Sequence, residues 1–237
     1  MVRHFQYFTD LSESEIELLS TLEKSPEQLE SGEFLWREGE RAEEMGVLSK
    51  GWAYSSYVLE DGSRMILDIF MPGDVIGLRE FAADTHQSTV EAITDCTFCR
   101  FPHGHLDNVF EQSSRLTNTF FSISATQQSM LVERMVNLGR RDAPSKLAHF
   151  LCEMRSRLSK TNAGGLNEFR LPLSQQMLAD LMGLTSVHVS RVFSLLREQS
   201  LVYRDRHQIT IPDIDRLMEF ADFRDGYLRM QTRKSDA

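Results

Sequence analysis

Five residues inside one short stretch could do chemistry on an anion or on the edge of a base. The stretch runs LADLMGLTSVHVSRVFSLLREQSLV, Leu178 to Val202, and the five are Ser186, Val187, His188, Ser190 and Arg191. An arginine guanidinium can donate two parallel hydrogen bonds to guanine O6 and N7, and serine hydroxyls can pair with base edges or with phosphate. His188 suits a phosphate better than a base. Val187 has no acceptor, only methyl groups that match a thymine methyl. Val187 and Arg191 are four apart, so on a helix they share a face and would meet neighbouring base pairs. The plainer alternative for Arg191 is a surface ion pair or a phosphate contact.

Such side chains need a rigid element to present them. Ser174 can cap a helix over Gln175–Met182, and Thr185 can cap a second over Ser186–Gln199. Between them Gly183 can take the left-handed backbone of a tight turn. The small Ala179 lies where a crossing helix must come close. Leu178, Met182, Leu184, Val189 and Val192 fall where two such helices bury apolar surface, and neither helix contains proline. Together these features predict a helix-turn-helix, whose second helix offers its N-terminal part to the major groove of double-stranded DNA. The competing reading is an ordinary helical hairpin in a core. The basic hairpin LVYRDRHQITIPD, with Arg204, Arg206 and His207, follows and makes the motif a winged one; Arg204 and Arg206 are its expected phosphate contacts. Gln175 and Thr185, at the two helix starts, complete the expected DNA-contacting set.

The charge is divided in a way that fits. Residues 1–139 carry a net −13 and residues 140–237 a net +4, within a total of −9. A basic back half points to a polyanion. The acidic front need not oppose it, because charges separated by more than a Debye length of ~8–10 Å are screened. No run of about 18 apolar residues is present, and MVRHFQYFTDLSESE lacks the apolar stretch of a signal peptide. No membrane partner is expected. Three cysteines, Cys96, Cys99 and Cys152, are too few and too irregular for a disulfide framework. A reducing cytoplasm is the expected setting.

The rest of the chain predicts an α+β protein in three parts. The first, 1–112, is a β-rich part with an N-terminal helix, where Ser12 and Glu15 can form a capping box. From Leu29 to Phe101 short β-rich runs alternate with turns such as EDGS and MPGD, the pattern of an antiparallel sandwich or barrel. The second part, 113–139, is one long helix ended by Gly139. Its apolar residues form two stripes: Leu116, Phe120, Ile123, Met130, and Phe121, Leu131, Met135, Leu138. One stripe could cover the barrel and the other a second copy, giving a homodimer; one wide core-facing stripe is the alternative. The third part, 140–237, is the winged helix-turn-helix, opened by a helix with Asp142 as N-cap and Pro144 in its first turn.

Several segments in this order together resemble the Crp–Fnr superfamily of bacterial transcription regulators. They are GEFLWREGE, MPGDVIG, the long helix leading into VNLGRRDAPSKLAHFL, and the helix-turn-helix itself. The likeness spans roughly residues 12–215. It implies a β-roll sensor, a long dimerisation helix, a hinge at Gly139 and Asp142, and a homodimer on palindromic DNA that recruits or blocks RNA polymerase. It places the polymerase-contacting loop at Lys160–Glu168. The family usually has Arg where Arg191 stands, and often Glu where Val187 stands, so the usual half-site does not carry over unchanged.

Cyclic-AMP-binding members of that family resemble one another in Gly-Glu-Leu followed by Arg-Ser. Here the corresponding segments are Gly77-Leu78-Arg79-Glu80 and Gln87-Ser88, and the guanidinium that would pair with the phosphate is missing. Leu131 and Val132 stand where such members place hydroxyls for the adenine. These eight residues form a degenerate effector pocket. An unknown small-molecule effector and a ligand-free regulator both stay open. No cofactor is expected: no cysteine precedes Cys96, so the four thiolates of an iron–sulfur cluster are not available. His4, His86, His103 and His105 are the candidate haem ligands. The alternative from another class is a cupin-like metal-dependent enzyme built on His103, His105 and Glu111, but the pair follows Pro102 at a helix start rather than on strands. No metal site and no catalytic residue are assigned.

Overall fold

The computed structural model describes residues 2–6, 9–160 and 167–228. The described chain forms two compact units that part between Gln127 and Gln128. The boundary falls inside the long helix.

The first unit opens with helices α1 (Val2–Gln6) and α2 (Glu13–Thr21). The Ser12 hydroxyl accepts from Glu15 N at 3.3 Å, and Glu15 Oε2 accepts from Ser12 N at 2.9 Å. Eight strands follow: β1 (Pro26–Leu29), β2 (Phe34–Trp36), β3 (Glu44–Lys50), β4 (Ala53–Val58), β5 (Arg64–Phe70), β6 (Val75–Ile76), β7 (Thr89–Ala92) and β8 (Cys96–Pro102). They form two antiparallel four-stranded sheets, ordered β1-β8-β3-β6 and β2-β7-β4-β5. Trp36, Leu48, Phe70, Val90, Ala92 and Phe98 meet in one apolar cluster. The Phe98 ring lies so close over Gly46 that any Cβ there would collide with it, so glycine is required in the middle of β3. Cys96 and Cys99 are buried free thiols in separate surroundings, Cys96 against Trp52 O and Cys99 against Glu23 O.

Helix α3 (His103–Gln112) begins directly after Pro102, and α4 (Ser114–Arg140) follows. His103 and His105 are therefore helical neighbours rather than strand residues. Among the described residues no three His, Cys, Asp or Glu side chains gather as a metal site requires. In the first unit Leu116, Phe120 and Ile123 of α4 pack with Phe5, Met45 and Phe101. At ~1.5 Å per residue α4 is about 40 Å long. It ends at Arg140, one residue past Gly139, where the sequence places its end. Arg141 N still reaches Asn137 O at 3.4 Å, and Gly139 is not among the positive-φ glycines.

The second unit holds the end of α4, then α5 (Ala143–Lys160), β9 (Glu168–Arg170), α6 (Gln175–Met182), α7 (Ser186–Glu198), β10 (Tyr203–Asp205), β11 (Gln208–Thr210) and α8 (Ile214–Phe220). The sequence predicts a two-stranded wing. The sheet has three strands, ordered β10-β11-β9, because Phe169 of β9 pairs with Ile209 and both are buried. No helix of the described residues is long and apolar enough to cross a membrane.

Candidate nucleic-acid interface

Helices α6 and α7 are set by local chemistry. The Ser174 hydroxyl accepts from Met177 N at 3.1 Å, and the Thr185 hydroxyl accepts from His188 N at 3.2 Å. Gly183 joins them with φ 63°, ψ 39°. A Cβ there would meet only ordinary contact, 3.8 Å from Leu138 Cδ2, so the left-handed backbone rather than crowding calls for glycine. Leu178, Ala179 and Met182 of α6 and Val189, Val192 and Leu196 of α7 are buried. This leaves one face of α7 outward: Val187, 60% exposed, with His188, Ser190 and Arg191. Ser186 is half-buried, less available than the sequence implies. Gln175 and Thr185 are exposed. Beside this face, between Pro144 and α7, an open groove of about 300 Å³ is lined by Val187, His188 and Arg191.

The wing corrects one expectation. Arg204 does not reach out toward phosphate. Its Nη2 donates to Leu173 O at 2.8 Å and its Nε to Arg206 O at 2.9 Å. Its guanidinium lies 4.8 Å from the centre of the Phe193 ring of α7, and burial pushes its pKa down. Arg204 therefore fastens the wing to the loop before α6 and to α7. Arg206, at the hairpin tip, is exposed with φ 51°.

In the first unit, six of the expected effector-pocket residues do come together, around a buried carboxylate. Gly77 turns with φ 101° into the short 3-10 turn Leu78–Glu80. Glu80 is 3% exposed. Its Oε1 accepts from Gln87 N at 3.1 Å and Ser88 Oγ at 3.2 Å, and its Oε2 lies 2.6 Å from His86 Nδ1. Trp36 stacks flat on His86 at 4.1 Å, and Arg79 Nη2 donates to Ser88 Oγ at 3.0 Å. Both Glu80 oxygens have partners within the protein, whereas the buried Trp36 Nε1 has none among the described residues. The apolar cavity between the sheets, lined by Leu48, Val90 and Phe98, measures about 10 Å³, at the lower limit for one water. Leu131 and Val132 lie in the second unit, the first half-buried and the second exposed.

Asp142 Oδ1 accepts from Ser145 N at 2.9 Å, capping α5. Sequence reasoning missed what surrounds this joint. Glu133 and Arg134 of α4, Arg141 after it, and His149 and Glu153 of α5 form a largely buried charged cluster. The available signal was a histidine set among Leu147, Ala148, Phe150 and Leu151. In the loop Lys160–Glu168, residues 161–166 lie outside the described residues. So does the His4 side chain.

A winged helix-turn-helix with its reading face outward, in a chain whose other unit is a two-sheet β-roll, defines a DNA-binding transcription regulator. Residues 145–220 match the Crp-like helix-turn-helix domain, and residues 26–113 match the cyclic nucleotide-binding domain. The chain is 30% identical over 181 residues to the nitrogen fixation regulation protein FixK of Rhizobium meliloti, covering 76% of this chain and 79% of that one. It is 29% identical to the transcriptional activatory protein AadR of Rhodopseudomonas palustris, over 79% and 74% of the two chains. The solved structure of FixK2 from Bradyrhizobium japonicum superposes with a TM-score of 0.75 at 27% identity, covering 83% of this chain and 96% of that one. The chain belongs to the Crp–Fnr superfamily of transcription regulators.

Proposed function

We propose that this regulator binds a palindromic duplex as a homodimer, with α7 of each copy in the major groove. The observation that carries this reading is the division of α7 into a buried face and an outward face. Arg191 reads a guanine and Val187 an adjacent thymine methyl. Ser186, His188 and Ser190 supply contacts to base edges or phosphate, and Gln175, Thr185 and Arg206 hold the backbone. The dimer rests on α4, where Phe121 is 77% exposed and Met135 71% exposed, with Val132 and Val136 also outward. Phe121, Gln128, Val132, Met135 and Gly139 are spaced as alternate threes and fours, with Ala125 between the first two, which is the seam of a coiled coil. Leu131 and Leu138, assigned to that seam from the sequence, are half-buried instead.

Cyclic nucleotide is not the effector in this reading, because Glu80 already has internal donors and Gln87 replaces the phosphate-pairing arginine. The loop Lys160–Glu168 contacts RNA polymerase. Selection from random duplex DNA tests the whole proposal. The expected product is an inverted repeat with half-sites centred about 34–36 Å apart. Enrichment of a single unrepeated site, or of none, would overturn it.

A further inference from the structure

Between α4 and α5 the chain turns within two residues, and the turn is held by charge. Arg141 Nη2 donates to Glu133 Oε1 at 2.7 Å. The same oxygen lies 3.1 Å from His149 Nε2, off the line a hydrogen bond needs. One turn on, Arg134 Nη2 donates to Glu153 Oε1 at 3.4 Å, and Tyr227 donates to Glu153 Oε2 at 2.9 Å. Asn137 Nδ2 donates to Lys146 O at 3.3 Å. His149 is 2% exposed. Its ring stacks parallel to Tyr227 at 6.3 Å and takes the edge of Phe223 at 5.0 Å. Helix α5 in turn packs against α6, α7 and α8. Whatever sets α5 on α4 therefore sets the recognition helix too.

We propose that Glu133, Arg141 and His149 are positioning residues for DNA binding: they clamp α5 to the last turns of α4, so that the segment around Gly139 and Asp142 is a locked joint rather than a free hinge. The clamp rests on the reading of α7 as the DNA-contacting helix, although none of its three residues lies on α7. Its logic is that of a buried ion pair, where removing one partner strands the other charge and is far more damaging than the pair is stabilising. Without the Glu133 carboxylate, the Arg141 guanidinium, largely buried at the joint, loses its ion partner and His149 Nε2 loses its nearest oxygen.

The clamp also has a sign with pH. The charged and titratable groups facing His149 are Glu133 and Arg141 from the α4 side, Asp222 after α8, and Tyr227, while Arg134 of α4 and Glu153 of α5 line the same small cavity. Burial first, and the Arg141 guanidinium second, push its pKa down to about 4. An unclamped His149, exposed to water, returns to about 6.5. Between those values the open joint takes up a proton that the closed joint refuses. Acid therefore favours the open joint, and the clamp's contribution is restored as pH rises past the ordinary histidine value.

The test uses the full chain and the duplex enriched from random DNA, with affinity measured by fluorescence anisotropy from pH 8 to pH 5. Mass by light scattering and melting temperature are followed alongside. Glu133→Gln is expected to bind about tenfold more weakly at pH 7 while keeping the wild-type mass and most of its melting temperature. His149→Gln keeps the shape and removes the proton. Relative to it, wild-type affinity is expected to fall about tenfold further between pH 7 and pH 5; other titrating groups are common to both proteins and cancel. Wild-type affinity in Glu133→Gln overturns the clamp. If Glu133→Gln unfolds, the His149→Gln profile decides: a profile parallel to wild type overturns the clamp, and a flatter one supports it. Failure of the wild type to enrich any duplex would instead remove the DNA-reading assignment beneath it.

Discussion

In the β-roll the polar side chains around Glu80 are turned on one another; along α7 the polar side chains are turned outward. Glu80 meets Gln87 N, Ser88 and His86 inside the protein, whereas His188, Ser190 and Arg191 stand in solvent on a helix whose other face is fully packed. A buried polar group that has its partners contributes to one folded arrangement. An exposed donor on a rigid support is available to a partner from outside. The same family architecture thus holds one closed polar site and one open one.

If that contrast is right, mutations should separate stability from DNA affinity. The largest effect is expected from Glu80→Ala. It strands three donors in the interior and should destabilise the first unit by about 3 kcal/mol, read from urea unfolding. An unchanged unfolding midpoint would mean the cassette is not the closed site described. Arg191→Ala should do the reverse. It should leave melting untouched, lower affinity by about 1–3 kcal/mol and relax one guanine in each half-site. If the selected motif stays the same and only weakens, Arg191 touches phosphate.

The wing sharpens the contrast, because its two arginines should part company. Arg204→Ala loses two hydrogen bonds and the Phe193 ring contact, so about 1–2 kcal/mol of stability should go with it. Asp142→Ala should remove about 1 kcal/mol by uncapping α5. Hydrogen bonds from Ser145, side chain and backbone, hold the Asp142 pKa below its usual value. That contribution is therefore present above the ordinary aspartate range and disappears as pH falls through the lowered value. A melting difference between wild type and D142A that persists in strong acid would contradict the cap. Arg206→Ala, the smallest change, should leave stability alone and flatten the salt dependence of binding by about one charge. An unaltered salt slope would take the wing tip away from the phosphate backbone.

The open site was far more legible in the sequence than the closed one. Ser174, Gly183 and Thr185 act on backbone atoms within a few residues, and the spacing of Leu178, Val189 and Val192 states which faces are buried. Local rules sufficed. Arg204 misled because its partners, Leu173 O and the Phe193 ring, are distant in sequence; nothing local marks an arginine in a charged hairpin as inward-turned. Glu80 was visible within a departure from a known motif and His86 only as a candidate haem ligand, but not as each other's partners. Strand β9 has only three residues, too few for an alternating pattern to stand out. Gly139 marked the end of α4 to within one residue, but nothing local announced the ion pair between Arg141 and Glu133, eight residues apart, that lies beside it.

The tip of the wing has a consequence for anyone who evolves this protein in the laboratory. Arg206 holds a left-handed backbone that only glycine adopts without strain, and such strain is worth of order 1 kcal/mol. Arg206→Gly would relax the turn and raise the melting temperature while deleting an exposed positive charge at the wing tip. A screen for heat tolerance alone would therefore collect that change early and, under the proposed wing contact, enrich sturdier proteins that grip DNA less well. Screens for robust variants of this regulator should score occupancy and survival together, because at this residue the two pull in opposite directions.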